Sequence, residues 1–168
     1  MNVSADFLDS FLGMNISEIC QNGFTDNEEQ HCAHFIGHIL QLDSGCSCKT
    51  LNNGQHSGGN LRVREIFHLC SVVGELSDAP SNRPVLVFVI DPKQIDLENK
   101  FMAKHRKKHI GVFLNGEVYH YSNNKKNKKV IKESIAEFLE YFENLYAGKQ
   151  GLYYAMIPEP HSPLLRND

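Results

Sequence analysis

His109-Ile-Gly-Val-Phe-Leu-Asn-Gly-Glu-Val-Tyr-His-Tyr-Ser122 is two apolar runs separated by Asn115-Gly116. Asn-Gly between such runs is the strongest short-range signal for a β-hairpin with a two-residue loop, because both residues tolerate positive φ. Leu114 then pairs with Glu117, and counting outward sets His109 across from Ser122 and diagonal to His120. Side chains alternate between faces, so His109, Gly111 and Phe113 share one face with Val118, His120 and Ser122. The two imidazoles can meet on that face. Gly111 between them leaves an open patch where a substrate or a helix end could approach.

Upstream, Gln30-His-Cys-Ala-His-Phe-Ile-Gly-His-Ile-Leu40 offers a thiol on an apolar-striped segment, with Phe35, Ile36, Ile39 and Leu40 at helical spacing. Thr25-x-x-Glu28 reads as a capping box that starts this helix near Thr25 and leaves Cys32 two turns inside it. A start near Gln30 would instead put Cys32 in the first turn, where the helix dipole acts.

The other elements follow from periodicity and punctuation. Phe7 to Ile19 reads as a first helix, and Leu61 to Val73 as another that stops at Gly74. The Gly-, Ser- and Asn-rich stretch from Asp43 to Asn60 reads as a long loop. Val85-Leu-Val-Phe-Val-Ile90 is a short continuous apolar run, a central strand buried on both faces. Lys129 to Tyr146 carries Ile131, Ile135, Phe138, Phe142 and Leu145 at helical spacing, with Gly148 as its C-cap. Leu152 to Ile157 is a last strand before a Pro-rich tail. Helices first and antiparallel strands later describe an α+β domain, taken here as one unit over residues 1–168.

The pattern His-Ile-Gly-Val-Phe through Val-Tyr-His-Tyr-Ser resembles the histidine hairpin of NlpC/P60-type, papain-like cysteine hydrolases. Cys32-Ala-His-Phe-Ile-Gly-His-Ile-Leu is similar to the helix start that carries the nucleophile in that family. The resemblance covers about 25 residues in two motifs. It implies a papain-like fold, Cys32 as nucleophile, His109 as general base and His120 as the group that orients the base, with Ser122 the other candidate for that third place. A thiol needs such help because a free Cys, with a pKa of about 8.5, is mostly protonated at neutral pH. For the oxyanion and the substrate, Gln30, the Cys32 backbone N–H, Gly111 and Ser122 are the candidates by proximity.

Charge is lopsided. Residues 100–132 hold ten Lys or Arg against the single acid Glu117, within a chain whose formal net charge is only −3. This basic block surrounds the hairpin. It reads either as solvated loop or as a field drawing an anionic polymer to the active face, which carboxylate-rich peptidoglycan stem peptides would satisfy. Overall acidity and the lack of stacking aromatics in the block speak against nucleic acid. No apolar run approaches the roughly 18 residues a membrane helix needs. Residues 1–14 lack the basic and apolar regions of a secretory signal.

The chain has five cysteines. With Cys32 free, Cys20, Cys46, Cys48 and Cys70 are either two disulfides of undetermined pairing or buried core thiols. A zinc site built from Cys46, Cys48, His56 and either His68 or Cys70 is a rival with no standard spacing. His34 and His38, at i, i+4, could face one metal, but no glutamate between them completes a metalloprotease signature. His56, His105 and His161 read as surface residues. No cofactor or metal is called for by the resemblance.

The resulting expectation is a cysteine amidase or endopeptidase acting on peptidoglycan stem peptides. Within the resembling family it is most similar to amidase toxins of type VI secretion, which leave without a cleaved signal, act in the periplasm of a target cell and are held in check by a cognate immunity protein. A papain-like protease or acyltransferase with a non-wall substrate uses the same residues. A metal- or nucleic-acid-binding module with a structural Cys32 is the reading from another class.

Overall fold

The computed structural model describes residues 2–158; the Pro-rich tail and His161 lie outside them. In chain order the helices α1 (Ala5–Asp9), α2 (Cys32–Ile39), α3 (Cys48–Asn52) and α4 (Val63–Leu69) come first. Strands β1 (Val73–Glu75), β2 (Val85–Ile90), β3 (Ile95–Asp96), β4 (Phe101–Met102), β5 (Lys108–Leu114), β6 (Glu117–Asn124) and β7 (Asn127–Ser134) follow, then helix α5 (Ile135–Tyr146) and strand β8 (Gly151–Ala155). Six strands form one antiparallel sheet in the order β1-β8-β2-β5-β6-β7, and β3 with β4 makes a separate two-stranded ribbon. The fold is mixed α+β with an antiparallel sheet.

The sheet is covered on both faces. Leu86, Phe88 and Ile90 of β2, with Ile110 and Val112 of β5, pack against Leu8, Phe35, Ile36, Ile66 and Phe67 from the N-terminal helices. Val87 and Val89 point the other way, to Val118, Phe138 and Phe142 under α5. Every residue of β2 is buried, which explains its unbroken apolar run: alternation disappears when both faces are covered. The hairpin forms with Asn115 and Gly116 at φ 53° and 81°, as a primed turn requires.

Several local expectations are overturned. The first helix ends at Asp9; the chain then turns so that Gly13 N–H donates to the Val130 carbonyl and Val130 N–H to that of Met14, which covers the outer edge of β7. No helix starts at Thr25: the Asp26 carboxylate accepts from Glu28 N–H at 2.9 Å and holds a turn, so α2 begins at Cys32. Inside the expected 43–60 loop, Ser47 and Thr50 form a capping box that starts α3. The helix expected over 61–73 stops at Leu69, because Val73, Gly74 and Glu75 are taken into the sheet opposite Ala155, Tyr154 and Tyr153.

The largest revision concerns 129–146. Residues 127–134 pair with β6 along its whole length, from Glu117↔Ser134 to Asn124↔Asn127, and the helix starts only after Ser134. Ser134 accepts from Glu137 N–H, and the Glu137 carboxylate accepts from Ser134 N–H in return. Ile131 falls in helical phase with α5 by coincidence; pairing with an available strand edge outweighs the weak strand propensity of Lys, Glu and Ser. The C-cap is Ala147, at φ 55°, rather than Gly148.

Candidate functional site

The β5–β6 ladder is complete only near the turn, over Val112↔Tyr119, Phe113↔Val118 and Leu114↔Glu117. Beyond it the strands part, and the N-terminus of α2 enters the gap. His31 N–H donates to the Asn123 side chain of β6 at 3.1 Å, while the Cys32 thiol lies against the Ile110 backbone of β5. Cys32 is the first residue of α2 and only 5 % exposed. Burial pushes its thiol up to about 11, against the pull of the Ala33 and Ile110 backbone N–H groups and of the Lys108 charge. Burial in turn lowers Lys108.

His109 and His120 meet: Nε2 of His109 lies 2.9 Å from Nδ1 of His120, and Nε2 of His120 lies 2.6 Å from a Glu133 carboxylate oxygen. Glu133 sits on β7, on the same face as Ile131, which is paired with His120. The carboxylate can only accept, so His120 Nε2 carries a proton and its Nδ1 a lone pair; His109 Nε2 therefore donates to it. The lone pair of His109 is left on Nδ1. His109 is 3 % exposed and stacks on Phe142 with ring centroids 4.5 Å apart. Burial, reinforced by His120, holds its pKa well below the usual histidine value.

Gly111 is not an open patch. A Cβ there would lie 2.6 Å from Val118 Cγ1, 2.9 Å from the Tyr119 carbonyl oxygen and 3.1 Å from His120 Cβ. Its missing side chain makes room for His120 and not for a substrate. Ser122 is buried, its hydroxyl accepts from Asn124 N–H at 3.3 Å, and among the described residues no hydrogen bond joins it to His109 or His120. Gln30 is exposed and lines two adjoining clefts. One, of 460 Å³, holds Cys32 among Arg62, Arg64, Lys104, Arg106 and Lys108. The other, of 640 Å³, holds His109, His120, Glu133, Phe142 and Tyr146. Gln30 and Arg106 form the shared rim.

The site residues are thus brought together in part. His109, His120 and Glu133 form one chain on the α5 face. Cys32 belongs to the core on the α2 face and, among the described residues, makes no hydrogen bond to an imidazole. The Cys32 thiol packs with the core under the N-terminal helices, whereas the His109 imidazole packs against Phe138 and Phe142 of α5. Glu133 falls within the stretch that reads as helix from Lys129, and Asn127-Lys-Lys-Val-Ile-Lys-Glu-Ser134 carries no alternation of apolar residues, so no local signal marks the strand that brings it to His120.

A second group of chemical side chains lies at the other end of α2. His34 and His38 converge with Cys20 and Cys48, their ligand atoms all within 4.8 Å of one another. His38 Nε2 is 3.1 Å from His34 Nε2 and 3.4 Å from Cys48 Sγ. Donation from Cys20, then from His34, His38 and Asn22, holds the Cys48 thiol far below its ordinary value, and the same pairing pushes Cys20 up. All five cysteines are free. The zinc set of Cys46, Cys48, His56 and His68 or Cys70 does not assemble: the Cys70 thiol donates to the Ile66 carbonyl, and His68 Nε2 accepts from Met102 N–H.

No family model, curated protein or solved structure matches this chain. Among the described residues no helix is long and apolar enough to cross a membrane.

Proposed function

We propose that the chain is a cysteine hydrolase with a papain-like, NlpC/P60-like core that cuts an amide bond in peptidoglycan stem peptides. The observation that supports this most is the His109–His120–Glu133 chain, whose proton directions leave a lone pair on His109 Nδ1, on the strand that also carries Ile110, whose backbone lies against the Cys32 thiol. Such a base oriented by a second group is the requirement for activating a thiol. In the substrate-free protein both groups are neutral. The thiolate and imidazolium form together, each charge stabilising the other, as the substrate brings them into contact.

In this mechanism the Cys32 sulfur attacks the amide carbonyl and its proton passes to His109. His109 returns that proton to the leaving amine, giving a thioester. Water, deprotonated by His109, then hydrolyses the thioester and restores the thiol. His120 and Glu133 hold the base in one tautomer and orientation. Gln30, on the shared rim, and the Cys32 backbone N–H would donate to the oxyanion. The five cationic side chains around Cys32 favour a substrate with several carboxylates, as stem peptides have. On this reading the protein is an antibacterial toxin delivered to the periplasm of a target cell, as type VI amidase effectors are, and a cognate immunity protein that plugs the cleft is its partner.

Digestion of purified sacculi tests the proposal. Wild type should release new soluble fragments whose masses name the cleaved bond, and Cys32→Ala and His109→Gln should release none. Full activity in Cys32→Ala, or no release by wild type from sacculi of several wall chemotypes, would overturn it.

A further inference from the structure

We infer that Cys20, His34, His38 and Cys48 form a closed, four-ligand zinc site that fastens α2 to α3 and to the segment after the short Ile16–Glu18 turn. The donor set is two thiols and two imidazoles, the combination that selects zinc over hard cations such as calcium and magnesium. The two closest separations match tetrahedral edges, and all four ligand atoms lie within 4.8 Å of one another. With Zn–N near 2.05 Å and Zn–S near 2.3 Å, tetrahedral edges are about 3.3 Å for two nitrogens and about 3.6 Å for nitrogen and sulfur. The corresponding separations are 3.1 Å for His34 to His38 and 3.4 Å for His38 to Cys48.

The surroundings are those of a built site. Asn22 N–H points at Cys20 Sγ at 3.4 Å, while the Asn22 side-chain amide and Gly59 N–H point at Cys48 Sγ at 3.5 and 3.3 Å. N–H donors of this kind hold thiolates in metal sites. The histidine tautomer is set as well. The Asp26 carbonyl, 2.7 Å from His31 Nε2, can only accept, so His31 Nδ1 holds a lone pair and receives the proton of His34 Nδ1 at 2.9 Å. The lone pair of His34 is thereby turned, on Nε2, into the cluster. Gly37 and Gly59 bring the loop that donates to Cys48 onto α2: a Cβ on Gly37 would lie 2.3 Å from Asn60 N, and one on Gly59 2.9 Å from His38 Cδ2.

Cys20, His34 and Cys48 are buried, whereas half-buried His38 opens on a 310 Å³ cleft with Gln21, His56 and Ser57, which is a route for the ion. Four protein ligands leave no position for a substrate, so the metal is structural. Cys32 is no ligand, and the inference stands independently of the proposed hydrolysis.

The test is elemental analysis of the full chain purified under reducing conditions without chelator. About one zinc per chain is expected, unchanged in Cys32→Ala, Cys46→Ser and Cys70→Ser. Cys20→Ser, Cys48→Ser and His34→Ala should each lower it more than about tenfold. Because such variants can lose zinc by failing to fold, the wild-type protein is also loaded with cobalt(II). The visible bands of a tetrahedral ion with thiolate-to-metal charge transfer are expected. Sub-stoichiometric zinc that cannot be raised by adding zinc to the reduced protein, an octahedral cobalt spectrum, a Cys20–Cys48 disulfide found by mass mapping, or zinc lost with Cys46→Ser or Cys70→Ser would each overturn the site.

Discussion

Replacing Gly111 by alanine adds one methyl group where β5 and β6 approach closely. The new Cβ would stand 2.6 Å from Val118 Cγ1 and 2.9 Å from the Tyr119 carbonyl oxygen. Neither neighbour can yield easily. Val118 is fully buried in the cluster with Phe138 and Phe142, and Tyr119 is held in the ladder opposite Val112 and Lys132. Relief requires the strands to separate by several tenths of an ångström, and overpacking of this kind costs about 1–3 kcal/mol. For a domain of this size each kcal/mol lowers Tm by about 2–4 °C, so a loss of roughly 2–12 °C is expected. Gly148→Ala is the control: nothing lies within 4 Å of a Cβ there and its φ is not positive, so the same exchange should leave stability unchanged or raise it by a few tenths of a kcal/mol. Differential scanning calorimetry of the three proteins decides the matter. A Gly111→Ala protein that melts with wild type would show that the glycine is not there to admit His120, and the close packing of the histidine chain would need another cause.

Acid should destabilise the protein through His109. Its pKa is depressed in the fold, so below about pH 6.5 the unfolded chain binds a proton that the native state refuses; stability present above that pH is lost as pH falls. His109 alone contributes up to about 1.4 kcal/mol of loss between pH 7.5 and 5.5, which urea unfolding of wild type and His109→Gln at the two pH values should resolve as a difference in slope; equal slopes would contradict it. Alkylation of Cys32, followed by peptide mass spectrometry, should be slow at neutral pH and accelerate roughly tenfold per unit towards a midpoint of about 11. Lys108→Met, which removes the charge that favours the thiolate, should slow it further, whereas a rate already on its plateau at pH 7 would refute the buried, protonated thiol. Ser134→Ala should cost about 1 kcal/mol by removing one arm of the capping box at the start of α5, read as a shift in urea midpoint, and a variant as stable as wild type would remove the cap from the account.

Much of the architecture was legible where a single local signal governs. The Asn115-Gly116 turn set the register of β5 and β6 near the loop, hence the meeting of His109 with His120, because two positive-φ residues leave little choice of turn. The apolar run at Val85–Ile90 announced a strand covered twice. The apolar stripe from Ile135 to Leu145 announced the helix that covers one face. What local patterns hid were the places where two rules compete: the capping residues at Thr25 and Glu28 against the Asp26 turn, and the helical phase of Ile131 against its pairing with His120.

Contacts between distant segments were hidden altogether. Glu133 reaches His120 only because β7 is a strand, and β7 is a strand only because β6 presents an unpaired edge. The convergence of Cys20 and Cys48 on the His34–His38 pair depends on Gly37 and Gly59 letting a loop close onto α2, which no periodicity in the chain encodes. Sequence alone therefore determined the local elements and the residue types available for chemistry, since turn geometry and alternation act over a few residues. Which of those residues share protons or could share a metal was decided by tertiary packing, which brings backbone edges and glycine-lined surfaces together across tens of residues.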